Sequence, residues 1–118
     1  MATSAPDRAA ALQEATAYLQ GVGFQVRDRD WHQPDGDLDI VAVDRATFVV
    51  CVLKVCSGTR YGAPLESLSR ASRSRLRSLA VRWLSAHGTR FDQIRVDVIG
   101  VIWEGPGGFT IEHIRGVA

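Results

Sequence analysis

The sequence predicts an α/β fold in which a mixed five-stranded sheet is flanked by helices, in the order α-β-β-β-α-β-β. Three observations support this prediction. Apolar residues recur at helical spacing in two segments, and β-branched or alternating apolar residues fill five others. The second helical segment lies between the third and fourth strands. It is long enough for a crossover connection, so the sheet is predicted to be mixed.

The first half of the chain is predicted to contain one helix and three strands. The bounds are helix 7–20, strand 24–29, loop 31–36, strand 37–43, tight turn 44–47 and strand 47–55. The buried face of the helix is predicted from its spacing to be Ala11, Leu12, Ala15, Tyr18 and Leu19. Alternation in the second strand predicts Leu38, Ile40 and Ala42 on one face, and Asp37, Asp39 and Val41 on the other.

The second half is predicted to contain one long helix and two strands. The bounds are loop 57–64, helix 65–87, strand 94–103, turn 105–108 and strand 109–114. The helix is predicted to bury a stripe formed by Leu65, Leu68, Leu76, Leu79, Ala80, Trp83 and Leu84. Arg70, Arg73 and Arg77 form a separate basic stripe, because they lie three and seven residues apart along the helix.

The length of 118 residues suits a single domain, with residues 1–8 expected to be a flexible N-terminus. The longest apolar run is far too short to span a bilayer, and the N-terminus lacks a hydrophobic signal core. Cys51 and Cys56 are an odd number of residues apart on one predicted strand, so they should face opposite ways and not pair. Free thiols suit a reducing cytoplasm, the expected location.

Charge is unevenly distributed although the net charge is only +1. Acidic residues dominate positions 1–44, and positions 60–90 contain seven arginines and one acidic residue, Glu66. This asymmetry fits a metal site beside a phosphate-binding face. The two halves could equally neutralise each other, or be solvated surfaces.

Lys54 is the only lysine in a chain with thirteen arginines, and it lies in the most apolar strand. Lysine is rarely buried without a partner, and its compact ammonium is not equivalent to a planar guanidinium. Asp39 lies on the preceding strand, just after a turn, and Glu14 lies in the first helix. Carboxylates that hold Mg²⁺ or Mn²⁺ beside such a lysine suit phosphodiester cleavage.

Several short motifs are spread along the chain: Glu14, Tyr18-Leu19, Gly23, the run GDLDIVA at 36–42, Lys54, Tyr61-Gly62, the run at 95–99, Ile111 and His113. As a set, they resemble the bacterial YraN-type family over nearly the whole length of the chain. This resemblance implies a restriction-endonuclease-like fold related to Holliday-junction resolvases, acting on DNA. It also implies that Asp39 is the metal-binding and catalytic aspartate and Lys54 the catalytic lysine. Glu14 would be a further metal ligand, and Asp37 replaces the usual glutamate before the aspartate.

The chain departs from this family pattern beside Lys54. The glutamate expected two residues before the lysine is Val52, which cannot bind a metal. The arginine expected two residues after the lysine is Cys56, and the glycine expected before the helix glutamate is Gln13. Loss of one metal-binding carboxylate predicts severely weakened Mg²⁺ binding, unless Asp37, Glu66 or a second subunit supplies a substitute.

Three hypotheses follow. The first is an active metal-dependent endonuclease with a relocated carboxylate. The second is a member of the same fold with weakened or lost cleavage that binds nucleic acid through Arg70, Arg73 and Arg77. The third is a non-catalytic protein-interaction module, as a homodimer or with a protein partner. Simpler interpretations also apply: Lys54 could extend to solvent from an edge strand, and the aspartates could be solvated.

Overall fold

The computed structural model describes residues 7–57 and 68–117, which form two helices, one 3₁₀ turn and five strands. Their bounds are α1 Arg8–Gly21, β1 Gln25–Gln33, β2 Gly36–Asp44, β3 Thr47–Ser57, α2 Arg70–Ala86, β4 Gln93–Trp103, the 3₁₀ turn Gly105–Gly107 and β5 Phe109–Ile114. The predicted order of elements is confirmed.

The strands form one sheet in the spatial order β1-β2-β3-β4-β5. Neighbouring strands are antiparallel except β3 and β4, which run parallel and are connected through α2. The predicted crossover helix is therefore present, and the sheet is mixed as predicted.

Each face of the sheet is covered by one helix. We call the side under α1 the α1 face; its buried sheet residues include Ile40, Ala42, Val49, Cys51, Ile99 and Val101. We call the side under α2 the α2 face; its buried sheet residues include Val41, Val43, Phe48, Val50, Val96 and Val98. Because successive side chains of a strand alternate between faces, β3 and β4 are apolar on both sides.

The predicted loop over residues 31–36 is wrong at its start. Trp31 to Gln33 belong to β1 and pair with the beginning of β2, so only Pro34 and Asp35 turn the chain. The turn-forming residues make a tight connection rather than a long loop. Pairing with β2 therefore extends β1 well beyond the predicted end at Arg29.

The second helix begins later than predicted. α2 starts at Arg70 after Ser69, whose hydroxyl accepts the Ser72 N–H at 3.0 Å as an N-cap. Leu68 precedes the cap and packs on the α2-face cluster. The predicted helical residues 65–67 and nearly all of the predicted loop 57–64 lie outside the described residues.

The N-terminal segment predicted to be flexible, 1–8, lies mostly outside the described residues. Of its last two residues, Asp7 is the N-cap of α1 and accepts the Ala10 N–H at 2.8 Å, and Arg8 begins the helix. Cys51 and Cys56 are free thiols, as expected, and burial raises the pKa of both. Neither of the two described helices is long and apolar enough to cross a membrane.

Candidate functional site

Asp39 lies where β2 and β3 separate. The paired register of these strands runs from Asp44↔Thr47 to Ile40↔Cys51 and ends there, although both strands continue. One residue further along, the Asp39 Oδ2 atom accepts the backbone N–H of Leu53 at 2.8 Å. The carboxylate therefore takes the place of a ladder carbonyl and is fixed in orientation by the neighbouring strand.

The other Asp39 oxygen is bound by an arginine from the first helix. Arg8 donates to Asp39 Oδ1 at 2.7 Å and to Asp30 Oδ1 at 2.6 Å, so one guanidinium bridges two carboxylates. Asp30 belongs to β1 and lies opposite Asp39, because the residues on either side of Asp30 pair with Ile40 and Leu38. Burial by itself lowers the pKa of Arg8, but contacts with the two aspartates outweigh it and raise that pKa. We call this group the Arg8 bridge.

The predicted alternation in β2 is wrong around Asp39. Leu38 packs in the α2-face cluster with Val41, not with Ile40, which lies in the α1-face cluster. Asp39 turns toward α1, where it meets Arg8. Alternation breaks where the ladder to β3 ends and where Asp30, on β1 between the partners of Ile40 and Leu38, has a positive φ of 51°. The prediction that Asp39 and Val41 share a face of the sheet is therefore wrong.

Lys54 lies near the same end of the sheet but on the other face. The register between β3 and β4 runs without a shift from Thr47 to Ser57, so Lys54 follows Phe48, Val50 and Val52 on the α2 face. Val52 is partly buried against the apolar cluster under α2. The structure thus places the Lys54 position and the Asp39 carboxylate on opposite sides of the sheet.

The other predicted metal ligands are exposed. Glu14 is exposed on α1, outside the buried positions of that helix. Asp37 is exposed at the start of β2 and lies 3.0 Å from Nδ1 of His32. Among residues 7–57 and 68–117, no group of three or more His, Cys, Asp or Glu side chains is arranged to hold a metal ion. The described donor set around Asp39 therefore does not fit a divalent cation: Arg8 binds the carboxylate, and valine stands at position 52.

Glu112 is a carboxylate that the sequence did not single out. Lys54 pairs with Gly100 of β4, and Gly100 pairs with Glu112 of β5, so the three residues form one row across the sheet. Glu112 lies on the α2 face, because Ile111 packs in the α1-face cluster. Burial raises the pKa of the Cys56 thiol. The positive charge of Lys54 lowers this pKa and the negative charge of Glu112 raises it. Both charged side chains are therefore neighbours of Cys56.

The arginines of α2 differ in their contacts. This helix carries five arginines and no acidic residue. Arg73 donates to the Leu68 carbonyl at 2.5 Å, and Arg77 donates to the Ile94 carbonyl at 3.2 Å. Arg70 is exposed, and Arg82 forms an ion pair with Asp35. The hydrogen bond from Arg82 lowers the pKa of Asp35. The ion pair between Arg82 and Asp35 therefore neutralises one charge of the basic half with one of the acidic half. The carbonyl groups bound by Arg73 and Arg77 are uncharged, so these two arginines keep their positive charge.

Sequence reasoning missed a buried polar network on the α1 face. Asp97 of β4 is completely buried and accepts four hydrogen bonds: two from Arg95 at 2.8 and 3.0 Å, one from His113 at 2.8 Å and one from the Gly116 N–H at 3.0 Å. The other ring nitrogen of His113 lies 2.9 Å from the Tyr18 hydroxyl. The signal that could have found it is the one that singled out Lys54, a charged residue inside an apolar strand.

Hydrogen bonding determines the charge state of this network. Burial by itself raises the pKa of Asp97, but the bonds from His113, Arg95 and Gly116 outweigh it and hold the pKa at about 2. Arg95 also donates to Asp44 at 3.0 Å, so the network joins α1, the end of β2, β4 and β5. A buried carboxylate with every lone pair occupied is a structural tie rather than a reactive group.

These features describe an α/β protein with a mixed five-stranded sheet, a bridged aspartate at the end of its central hairpin and an arginine-rich crossover helix. The model of the uncharacterised protein family UPF0102 matches residues 13–101, and the chain belongs to that family. This confirms the YraN-type resemblance. The chain is 40% identical over 103 residues to a UPF0102 protein of Beutenbergia cavernae, covering 87% of each chain. It is 39% identical over 102 residues to one of Frankia casuarinae, covering 86% of each.

Proposed function

We propose that this protein binds nucleic acid and has a nuclease-type fold in which metal-dependent phosphodiester cleavage is weakened or lost. The observation that carries the proposal is the state of Asp39: Arg8 and the Leu53 N–H occupy its two oxygens, and Val52 stands where its carboxylate partner is expected. A divalent cation at this place would have to compete with an internal cation and would gain no second charged ligand from β3.

The arginine-rich helix supports binding to nucleic acid. α2 presents Arg70, Arg73 and Arg77 on one side, and no acidic residue of the helix offsets them. Backbone carbonyls orient Arg73 and Arg77 but cannot neutralise their charge. A row of guanidinium groups that no acidic residue of the helix neutralises is suited to binding phosphate groups. One guanidinium can donate two parallel N–H bonds to two oxygens of the same phosphate. This row would supply affinity without sequence preference.

Affinity measured against salt concentration tests the binding. Labelled duplex, single-stranded and branched DNA should bind with an affinity that falls steeply as salt rises. Arg70→Gln should lower affinity for all sequences and reduce the salt slope by about one. Arg27→Gln is the matched control, because Arg27 is an exposed arginine on β1 beside Thr16 and Gln20 of α1. A flat salt dependence, or equal losses in both variants, would reject nucleic-acid binding through α2.

Cleavage is tested separately with Mg²⁺ or Mn²⁺ on the same substrates. The wild-type protein should cleave little or not at all. Val52→Glu alone should not restore cleavage, because position 52 lies on the α2 face and Arg8 holds the Asp39 carboxylate toward α1. Val52→Glu combined with Arg8→Gln should introduce activity, because the second change releases Asp39. Robust wild-type cleavage that is abolished in Lys54→Ala would refute the loss of activity.

One observation favours a second candidate, an active endonuclease with a relocated carboxylate. Glu112 shares the α2 face with Lys54, and the residue between them in the row is a glycine without a side chain. Under this alternative, wild-type cleavage would disappear in both Lys54→Ala and Glu112→Gln. Glu104→Gln is a suitable control, because this exposed carboxylate accepts from Thr110 and lies outside the row.

A further inference from the structure

We infer that the outer edge of β5 is an interface and that its partner is a second copy of this chain. The sheet has two edges, β1 and β5, and among the described residues no strand covers the outer side of either. Unpaired strand edges expose backbone donors and acceptors that readily pair with another strand. The two edges differ sharply in how well they are protected against such pairing.

The β1 edge carries three obstacles. Its register with β2 shifts between Val26 and Asp28, which marks a bulge at Arg27. Asp30 has a positive φ of 51°, so the backbone turns out of the regular strand conformation. Charges of alternating sign occupy positions 27 to 30. Bulges and charged side chains are the usual means by which proteins keep an edge from pairing.

The β5 edge lacks these obstacles. Its register with β4 runs without a shift from Ile114 to Phe109, and Glu112 is its only acidic or basic residue apart from His113. Just beyond the strand, the Glu104 N–H donates to the Gly108 carbonyl at 2.7 Å, so this pair is of the hydrogen-bonded type. Hydrogen-bonded and non-hydrogen-bonded pairs alternate along an antiparallel ladder. The N–H and C=O groups of Phe109, Ile111 and His113 therefore point outward.

These outward groups are self-complementary. In an antiparallel pair centred on Ile111, Phe109 of one copy lies opposite His113 of the other, and about six hydrogen bonds form between the chains. Thr110 lies opposite Glu112 of the second copy, so no like charges meet. The two-fold axis runs perpendicular to the sheet, and both α2 helices lie on one side of the joined sheet. This inference does not depend on nucleic-acid binding.

Opposite charge changes at Thr110 test the interface and its register. Thr110 is exposed, and its hydroxyl donates to Glu104 at 2.8 Å, a contact that both changes remove. Thr110→Glu puts two like-charged pairs across the interface and should weaken the dimer by roughly tenfold. Thr110→Lys puts two attractive pairs there and should strengthen it by a similar factor. Sedimentation equilibrium without nucleic acid measures both dissociation constants.

A second pair of variants tests the backbone hydrogen bonds. Ile111→Pro removes an outward N–H without removing a ladder bond to β4, so it should abolish the dimer. Ile111→Ala removes more side-chain carbon atoms than Ile111→Pro does, but it keeps the backbone N–H. The alanine variant should therefore remain dimeric. A wild-type protein that stays monomeric at every soluble concentration would overturn the inference. So would Thr110→Glu and Thr110→Lys shifting the dimer in the same direction, a result that stands even if Ile111→Pro fails to fold.

Discussion

Asp39 and Asp97 both turn toward α1, but their surroundings differ. Asp97 is completely buried and accepts four hydrogen bonds from Arg95, His113 and Gly116. The side chain of Asp39 is 24% exposed, and each of its oxygens accepts one bond, from Arg8 and from Leu53. The first arrangement makes a charge indispensable to the fold. The second holds a charge at the surface, where other ligands can compete for it.

The largest expected effect is on stability at Asp97. Asp97→Ala leaves the Arg95 guanidinium and the His113 ring without their buried partner, so the free energy of unfolding should fall by about 3–5 kcal/mol. Urea denaturation followed by tryptophan fluorescence measures this loss. Asp37→Ala is the control, because its exposed carboxylate should change stability by less than about 0.5 kcal/mol. A loss below about 1 kcal/mol at Asp97 would show that the network does not hold the fold together.

Acid sensitivity should come from the same residue. The pKa of Asp97 is about 2 in the folded protein against an ordinary value of 3.8. A lowered folded pKa stabilises the protein above the unfolded value, and this contribution is lost as pH falls through the folded value. About 2 kcal/mol should therefore disappear between about pH 4 and pH 2. Asp97→Asn should flatten this part of the curve, and an unchanged slope in that variant would assign the acid sensitivity elsewhere.

The order of elements and the packed faces of both helices could be predicted because they depend on local periodicity. The strand conformation of residues 31–33 could not be predicted, because pairing with β2 overrides the turn propensity of these residues. The face of Asp39 was mispredicted because alternation fails where the β2–β3 ladder ends. Arg8 was missed as its partner because that contact depends on how α1 docks across the sheet. The partners of Asp97 were missed for the same reason: His113 and Tyr18 are distant in sequence and meet only after packing.

A smaller effect is expected at the outer member of the Asp97 network. Tyr18→Phe removes the hydroxyl that lies 2.9 Å from Nδ1 of His113 but keeps the ring. The free energy of unfolding should fall by about 1 kcal/mol, the usual net value of one hydrogen bond. The ¹⁵N chemical shifts of His113 should change as well, because its ring nitrogen loses a partner. Unchanged shifts would indicate that the hydroxyl is bonded elsewhere in solution.

The smallest effect is expected at the Arg8 bridge. Arg8→Gln removes an ion pair between partly exposed side chains, so it should cost no more than about 1 kcal/mol at low salt. The cost should shrink as salt screens the charges, whereas the loss in Asp97→Ala should hardly change. Arg27→Gln, an exposed change on β1, should have no measurable effect. A loss of several kcal/mol, independent of salt, would make Asp39 as structural as Asp97. A small and screened loss would show that the fold does not depend on this ion pair, so Arg8 can give way to another ligand of Asp39 without unfolding the protein.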